Sequence, residues 1–125
     1  MSEDPRRTQR VAGQIRARLG EVLAKETGDA DLAAAVVTEV EVTKDLSIAH
    51  VKVRRLGVND GKKEREAFVA RLKRASPHLR RALGARLGLR RVPELRFVYD
   101  TGPDRAARVG ELLGEIAREN EKKEP

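Results

Sequence analysis

The sequence predicts a single α+β domain, in which a three-stranded sheet carries helices on one face. Two segments have apolar residues at helical spacing, and two consecutive runs alternate with the period of a strand. A proline lies inside the longer helical segment and a third alternating run follows it. The predicted order is therefore helix, strand, strand, bent helix, strand, helix, and a length of 125 residues suits one domain.

The first helix is predicted from Arg6 to Glu26, because apolar residues recur there at spacings of three and four. Asp4 and Pro5 suit the N-cap and the first turn, and Gly28 suits the end. The apolar stripe consists of Val11, Ile15, Leu19, Val22 and Leu23.

Two alternating runs, beginning at Ala35 and Ile48, predict an antiparallel hairpin because only the turn Lys44–Ser47 separates them. One apolar face of this hairpin is expected to pack against the first helix. In the first run we place Val36, Thr38, Val40 and Val42 on one face and Val37, Glu39, Glu41 and Thr43 on the other. In the second run Ala49, Val51 and Val53 oppose His50, Lys52 and Arg54.

A long helix is predicted from Lys62 to about Leu87, with Asn59 or Asp60 as its cap. Pro77 lacks an amide hydrogen and disfavours helical geometry at the preceding Ser76. We therefore expect two helical arms that meet near Ala75–Pro77. The apolar stripe consists of Phe68, Leu72, Ala75, Leu79, Leu83 and Leu87.

The third strand is predicted from Pro93 to Asp100, with Leu95, Phe97 and Tyr99 packed in the core. A last helix opens at Thr101–Asp104 and carries an apolar stripe. Residues 1–6 are expected to be flexible, 7–117 to form the domain, and 118–125 to be a charged, frayed tail. The stripe consists of Val109, Leu112, Leu113 and Ile116.

The composition argues against several classes of protein. The chain has no cysteine and two histidines, which excludes disulfides and argues against metal clusters. No apolar run approaches the ~20 residues of a membrane span, and the N-terminus has no signal-peptide pattern. No convergent set of catalytic residues is evident either. We expect a soluble, cytoplasmic, monomeric protein that is not an enzyme and has no cofactor, membrane contact or small-molecule substrate.

The excess positive charge is concentrated between Arg71 and Arg96. This stretch holds nine of the 27 basic residues and one of the 20 acidic ones, a net charge of +8. The rest of the chain, with 18 basic and 19 acidic residues, has a net charge of −1. Such a field suits a polyphosphate backbone, although a simply solvated face is the alternative. The RNA-binding candidates are Arg71, Lys73, Arg74, Ser76, Arg80, Arg81, Arg86, Arg90 and Arg91.

Four blocks of the chain, together covering roughly Arg7 to Ile116, resemble the ribosome-binding factor A family. The blocks are RVAGQIRARLGEVL (from Arg10), TEVEVTKDLSIAHVKV (from Thr38), RLGLRRVPELRFVYD (from Arg86) and ARVGELLGEI (from Ala107). That family typically has an Ala-x-Gly kink where ordinary KH domains have a GXXG loop. Ala75 and Ser76 match this kink, and Pro77 stands where glycine is usual.

The resemblance implies a KH-like fold of the second type. It also implies binding to the immature 30S ribosomal subunit and its 16S rRNA precursor, with support for late maturation and 5′-end processing. Growth in the cold, an assembly GTPase and contacts with ribosomal proteins belong to the same expectation. The alternatives are a generic nucleic-acid-binding module and a protein-interaction module.

Overall fold

The computed structural model describes residues 5–56 and 61–123, and the predicted order of elements is confirmed with one short helix added. The proposed caps Asp4, Asn59 and Asp60 lie outside the described residues. The elements are α1 (Pro5–Glu26), α2 (Ala30–Ala33), β1 (Ala35–Val42), β2 (Ile48–Arg55), α3 (Lys62–Leu87), β3 (Glu94–Tyr99) and α4 (Gly102–Lys123).

Helix α2 was not predicted from the sequence, because a single helical turn has no apolar periodicity. Its start is fixed by Asp29, whose Oδ1 accepts hydrogen bonds from the backbone nitrogens of Asp31 (2.9 Å) and Leu32 (3.3 Å). This is the usual N-cap arrangement of an aspartate. The turn buries Leu32 and places two carboxylates, of Asp29 and Asp31, beside α3.

The sheet has the order β1-β2-β3, with β2 in the centre. Strands β1 and β2 are antiparallel, which confirms the hairpin, and β3 runs parallel to β2. The parallel pairing sets Val51 opposite Phe97 and Val53 opposite Tyr99. Antiparallel and parallel neighbours thus meet in one mixed sheet, because α3 returns the chain to the end from which β2 began.

The predicted facing of β1 is wrong at its start, because the strand contains a bulge at Thr38. Val37 pairs with Val53 and Glu39 pairs with Lys52, which leaves Thr38 as an extra residue. One extra residue exchanges the two faces of the strand. Val37 therefore packs against the core together with Val40 and Val42, and Val36 and Thr38 are not among the core-packed residues.

The core lies between one face of the sheet and the helices α1 and α3. The entire predicted stripe of α1 is buried, as are Ala49, Val51 and Val53 of β2. Helix α3 contributes four buried side chains, Phe68, Leu72, Leu79 and Leu83. From β3, Leu95 and Phe97 are buried, and the ring of Tyr99 meets that of Phe68 edge to face at 6.2 Å. Core packing of the aromatic residues is thereby confirmed.

Helix α3 is one uninterrupted helix that passes through Pro77. The expectation that Ser76 leaves the helical region is therefore wrong, and the two expected arms belong to one continuous helix. The preference of a pre-proline residue is a matter of local sterics, and burial of Leu72 and Leu79 on either side outweighs it. A bend at Pro77 remains a prediction.

Helix α4 contributes nothing to the buried core that the structure describes. Its apolar side chains Val109, Leu112, Leu113 and Ile116 are between 45% and 60% exposed. A contiguous apolar face in solvent is characteristic of a contact surface. Among the helices of residues 5–56 and 61–123, none is both long enough and apolar enough to cross a bilayer.

The first turn of α4 is held to the body by a carboxylate clamp. Arg54 donates to both carboxylate oxygens of Asp104 (2.8 and 3.0 Å), and Arg65 donates to Oδ2 (2.9 Å). Arg65 also lies over the ring of Tyr99, at 4.7 Å from its centroid. These hydrogen bonds, led by those from Arg54, lower the pKa of Asp104 to about 2. The clamp joins β2, α3 and α4 at one point.

Replacing Asp104 by Asn should lower the thermal unfolding midpoint near neutral pH. The pKa of Asp104 is depressed by folding, so its contribution is complete above the unfolded value of about 3.9 and disappears as the pH falls to about 2. The difference in midpoint between wild type and Asp104→Asn should therefore shrink between about pH 4 and 2. Glu115→Gln, at an exposed position on the same helix, is the control. A difference that stays constant throughout this range would contradict the clamp.

Candidate nucleic-acid interface

Three adjoining clefts follow the side of the molecule where α3 faces β3 and the segment before it. Arg80 lines all three clefts, and Pro77 lines two of them. Most of the charged lining is cationic. We call this surface the basic groove and define it by Arg7, Lys73, Ser76, Pro77, Arg80, Arg81, Arg90, Arg91 and Arg96.

Arg80 is the centre of the basic groove and is fixed by backbone carbonyls. Its Nε donates to the carbonyl oxygen of Pro93 (3.1 Å), and its Nη2 donates to that of Val92 (2.6 Å). Both carbonyls belong to the segment between α3 and β3. Because these partners are neutral, the guanidinium is positioned without losing its charge to a carboxylate.

Gly84 permits the close approach of this segment to α3. A Cβ at this position would lie 2.7 Å from Cγ2 of Val92, closer than such atoms are found in proteins. Glycine therefore sets the width of the groove beside Arg80. Gly84 lies inside α3, and Gly88 caps the end of this helix with a positive φ of 61°.

Four of the eight predicted RNA-binding cations are exposed along the groove: Lys73, Arg81, Arg90 and Arg91. Arg81 lines the cleft beside Pro77, and Lys73 lines the cleft shared with Ser76. The hydroxyl of Ser76 points to the carbonyl oxygen of Leu95 at 3.5 Å, across the same cleft. The exposed cations that line the groove are Arg7, Lys73, Arg81, Arg90, Arg91 and Arg96.

Two of the predicted RNA-binding residues lie on another side of α3 and form internal ion pairs. Arg71 contacts Asp29 at 3.0 Å and also Asp31, and its hydrogen bond is the main cause of the lowered pKa of Asp31. Arg86 lies 3.4 Å from a carboxylate oxygen of Glu26. These arginines attach α3 to the end of α1 and to α2. The structure therefore places Arg71 and Arg86 outside the basic groove.

Arg74 occupies a third position, exposed on the solvent side of α3 but not in the lining of the three clefts. Arg7 lines the groove from α1 but was not predicted as an RNA-binding residue. The prediction was based on the high density of positive charge between Arg71 and Arg96, and a single arginine near the N-terminus lies outside that stretch.

The groove contains two carboxylates, and each has a partner within the protein. Oδ1 of Asp45 accepts hydrogen bonds from the hydroxyls of Thr43 and Ser47, both at 2.7 Å, which lowers the pKa of Asp45 to about 2. Glu94 lies 3.4 Å from Arg96. Within the part of the chain that the structure describes, no three His, Cys, Asp or Glu residues are grouped as metal ligands. The groove thus offers guanidinium and ammonium groups suited to phosphate oxygens.

Replacing Arg80 by Met should lower the free energy of unfolding by about 1–3 kcal/mol, because two carbonyl groups lose a charged donor. The adjacent Arg81→Met is the matched control and should change this free energy by no more than about 0.5 kcal/mol, since Arg81 is exposed. Chemical denaturation of both variants measures the difference. Equal stability of the two variants would show that the carbonyl contacts of Arg80 do not hold the groove.

Comparison with known protein families identifies this chain. The family model described as ribosome-binding factor A matches residues 7–113. The chain belongs to the ribosome-binding factor A family. The match includes all the residues that define the basic groove, and it confirms the resemblance that the four sequence blocks suggested.

Curated ribosome-binding factor A proteins are similar to almost the whole chain. The protein from Sorangium cellulosum is 43% identical over 117 residues, which cover 93% of each chain. The protein from Vibrio campbellii is 36% identical over 124 residues, which cover 99% of this chain and 90% of that protein.

Solved structures of ribosome-binding factor A support the fold. The crystal structure of the Thermus thermophilus protein has a TM-score of 0.60 at 27% identity, and the match covers 74% of this chain and 94% of that one. A Thermus thermophilus homology model fitted into a cryo-EM map of a complex with the 30S subunit has a TM-score of 0.50 at 30% identity, covering 70% and 92%. The predicted α+β, KH-like fold is thereby confirmed.

Proposed function

We propose that this protein is a non-enzymatic assembly factor, which binds the immature 30S subunit and its 16S rRNA precursor through the basic groove. It would support late maturation of the subunit and processing of the 5′ end of the rRNA. The observation that carries the proposal is the line of exposed cations around the fixed guanidinium of Arg80. Membership of the ribosome-binding factor A family, and the 30S complex of the Thermus thermophilus protein, supply the partner.

The groove suits an RNA backbone for electrostatic reasons. Each cation that neutralises a phosphate releases condensed counterions, so a row of cations gains affinity from every contact. Five of the six exposed cations are arginines, whose planar fork grips a phosphate in two places and stacks on an unpaired base. Two carboxylates, of Asp45 and Glu94, also line the groove, and seven cations outnumber them.

The mechanism follows from selective binding. A protein that binds one arrangement of the precursor rRNA more tightly than the others shifts the population towards that arrangement. No chemical step is required of the protein, and its release follows when the preferred arrangement is lost.

A second contact with a ribosomal protein is favoured by the exposed face of α4. Its apolar side chains have no complement on an anionic RNA backbone, but they suit an apolar patch on a neighbouring protein. With both contacts, the groove would bind the RNA of the 30S subunit and α4 would bind a protein of that subunit.

Replacing both Arg81 and Arg91 by Glu should abolish cosedimentation with 30S subunits, because two attractive contacts become repulsive. Both side chains are exposed, so the fold should be unchanged. The control is the double substitution Arg16→Glu and Lys62→Glu, which alters the net charge equally at exposed positions outside the groove. Arg80 is left intact because of its structural contacts. Loss of binding in both double variants, or in neither, would refute the groove as the contact surface.

The affinity for 16S rRNA should fall steeply with salt. With about six phosphate contacts, the loss is on the order of a thousandfold between about 50 and 200 mM monovalent salt. Filter binding or fluorescence titration across this range gives the slope, and the Arg81→Glu, Arg91→Glu variant should have a shallower one. An affinity that does not respond to salt would rule out the phosphate model.

A further inference from the structure

One part of the basic groove is larger and more enclosed than the rest. It lies between the start of α1, the turn that joins β1 to β2, and the segment before β3, and its volume is about 900 Å³. We call it the turn cleft. Its lining consists of Arg7, Val11, Asp45, Leu46, Ser47, Arg80, Leu89, Arg90, Arg91, Val92, Pro93 and Glu94.

The inner surface of the turn cleft is apolar. Val11 and Pro93 are buried, and Leu46, Leu89 and Val92 are partly buried beside them. Phosphate oxygens make no favourable contact with such a surface. A ligand that uses this floor must therefore present an apolar or aromatic group to it, and the volume lies within the usual range for small-molecule pockets.

Leu46 is held in the turn cleft by an unusual backbone conformation. Its φ is +61°, a value that leucine rarely adopts. Hydrogen bonds fix the turn around it: the nitrogen of Leu46 donates to the carbonyl of Thr43 at 2.8 Å, and that of Ser47 donates to Asp45 Oδ1 at 3.1 Å. The nitrogen of Glu94 also donates to the carbonyl oxygen of Ser47, at 2.9 Å, which ties the turn to β3. Strained residues held in this way are concentrated at ligand-binding sites.

Four arginines around the turn cleft outnumber two exposed carboxylates, of Asp45 and Glu94. Arg7, Arg90 and Arg91 are exposed, and Arg80 lines the cleft from α3. An apolar floor beneath arginines is complementary to a nucleotide, whose base is flat and apolar on its faces and whose phosphate is anionic. A duplex could use only the rim, since its bases are stacked inside, and an apolar side chain of a protein could use only the floor.

We infer that the turn cleft binds one unstacked base of single-stranded RNA, with the face of the base against Leu46 and its flanking phosphates on Arg90 and Arg91. This inference rests on the proposed function and specifies how the same groove distinguishes single-stranded from double-stranded rRNA. Single-stranded RNA is generally recognised through bases that leave the stack and lie against side chains and guanidinium planes.

Unstructured RNA oligonucleotides test the inference with the full-length protein. One nucleotide at a time is made abasic, which removes a base and keeps every phosphate. For the wild type, one abasic position should weaken binding about tenfold, the effect expected for burial of one apolar group. In Leu46→Asn this penalty should disappear, because the intact RNA loses its contact with the floor. Asparagine tolerates a positive φ, so the turn is kept. Leu56→Asn, at a position that is 70% exposed and outside the cleft, is the control.

The possible outcomes separate the two proposals. An abasic penalty in the wild type and in Leu56→Asn, but not in Leu46→Asn, supports the base site. Equal binding of abasic and intact RNA, combined with weaker binding by Arg81→Glu, Arg91→Glu, overturns the base site and leaves the proposed function standing. Binding that is indifferent to both abasic nucleotides and charge reversal overturns both. The abasic series requires only wild-type protein, so equal binding of abasic and intact RNA overturns the base site even if Leu46→Asn fails to fold.

Discussion

The hydrogen bonds from Arg80 to the carbonyl oxygens of Val92 and Pro93 are the contacts on which the basic groove depends. Between the end of α3 at Gly88 and the first residue of β3, the chain has no regular backbone pairing, and buried carbonyls need donors. An arginine supplies two donors in fixed geometry, which lysine does not. Because its partners are carbonyls, Arg80 orders the wall of the groove and keeps its positive charge for a ligand.

Helix α3 therefore carries basic residues on two sides, and these residues have different roles on each side. Towards α1 and α2, Arg71 and Arg86 face carboxylates, so their charge is neutralised and stabilises the packing of helices. Towards β3, Lys73 and Arg81 face solvent and retain their field. The net charge of +8 between Arg71 and Arg96 thus overstates the charge that is available to a partner. The remaining cations face one side of the molecule, and such an oriented charge can steer an anionic ligand.

The sequence was sufficient where the structure is determined by local periodicity. The buried stripe of α1, the alternation of β2 and the aromatic residues of β3 follow directly from spacing. The failures are nonlocal. The ion pairs of Arg71 and Arg86 join residues 40 to 60 positions apart, and nothing in the local pattern shows them. The bulge at Thr38 is invisible because threonine fits either face of a strand. The position of Leu46 in the groove also depends on distant contacts and was learned only from the three-dimensional structure.

The attachment of α4 through Asp104 has a consequence for how the protein can vary. Since Val109, Leu112 and Leu113 bury nothing in the core described here, changes among them carry little thermodynamic penalty for the domain. Residues up to the clamp are constrained by one another, whereas the apolar residues beyond it are not constrained by packing in the core described here. The helix is thus a region in which complementarity to another surface can evolve independently of the fold that carries it.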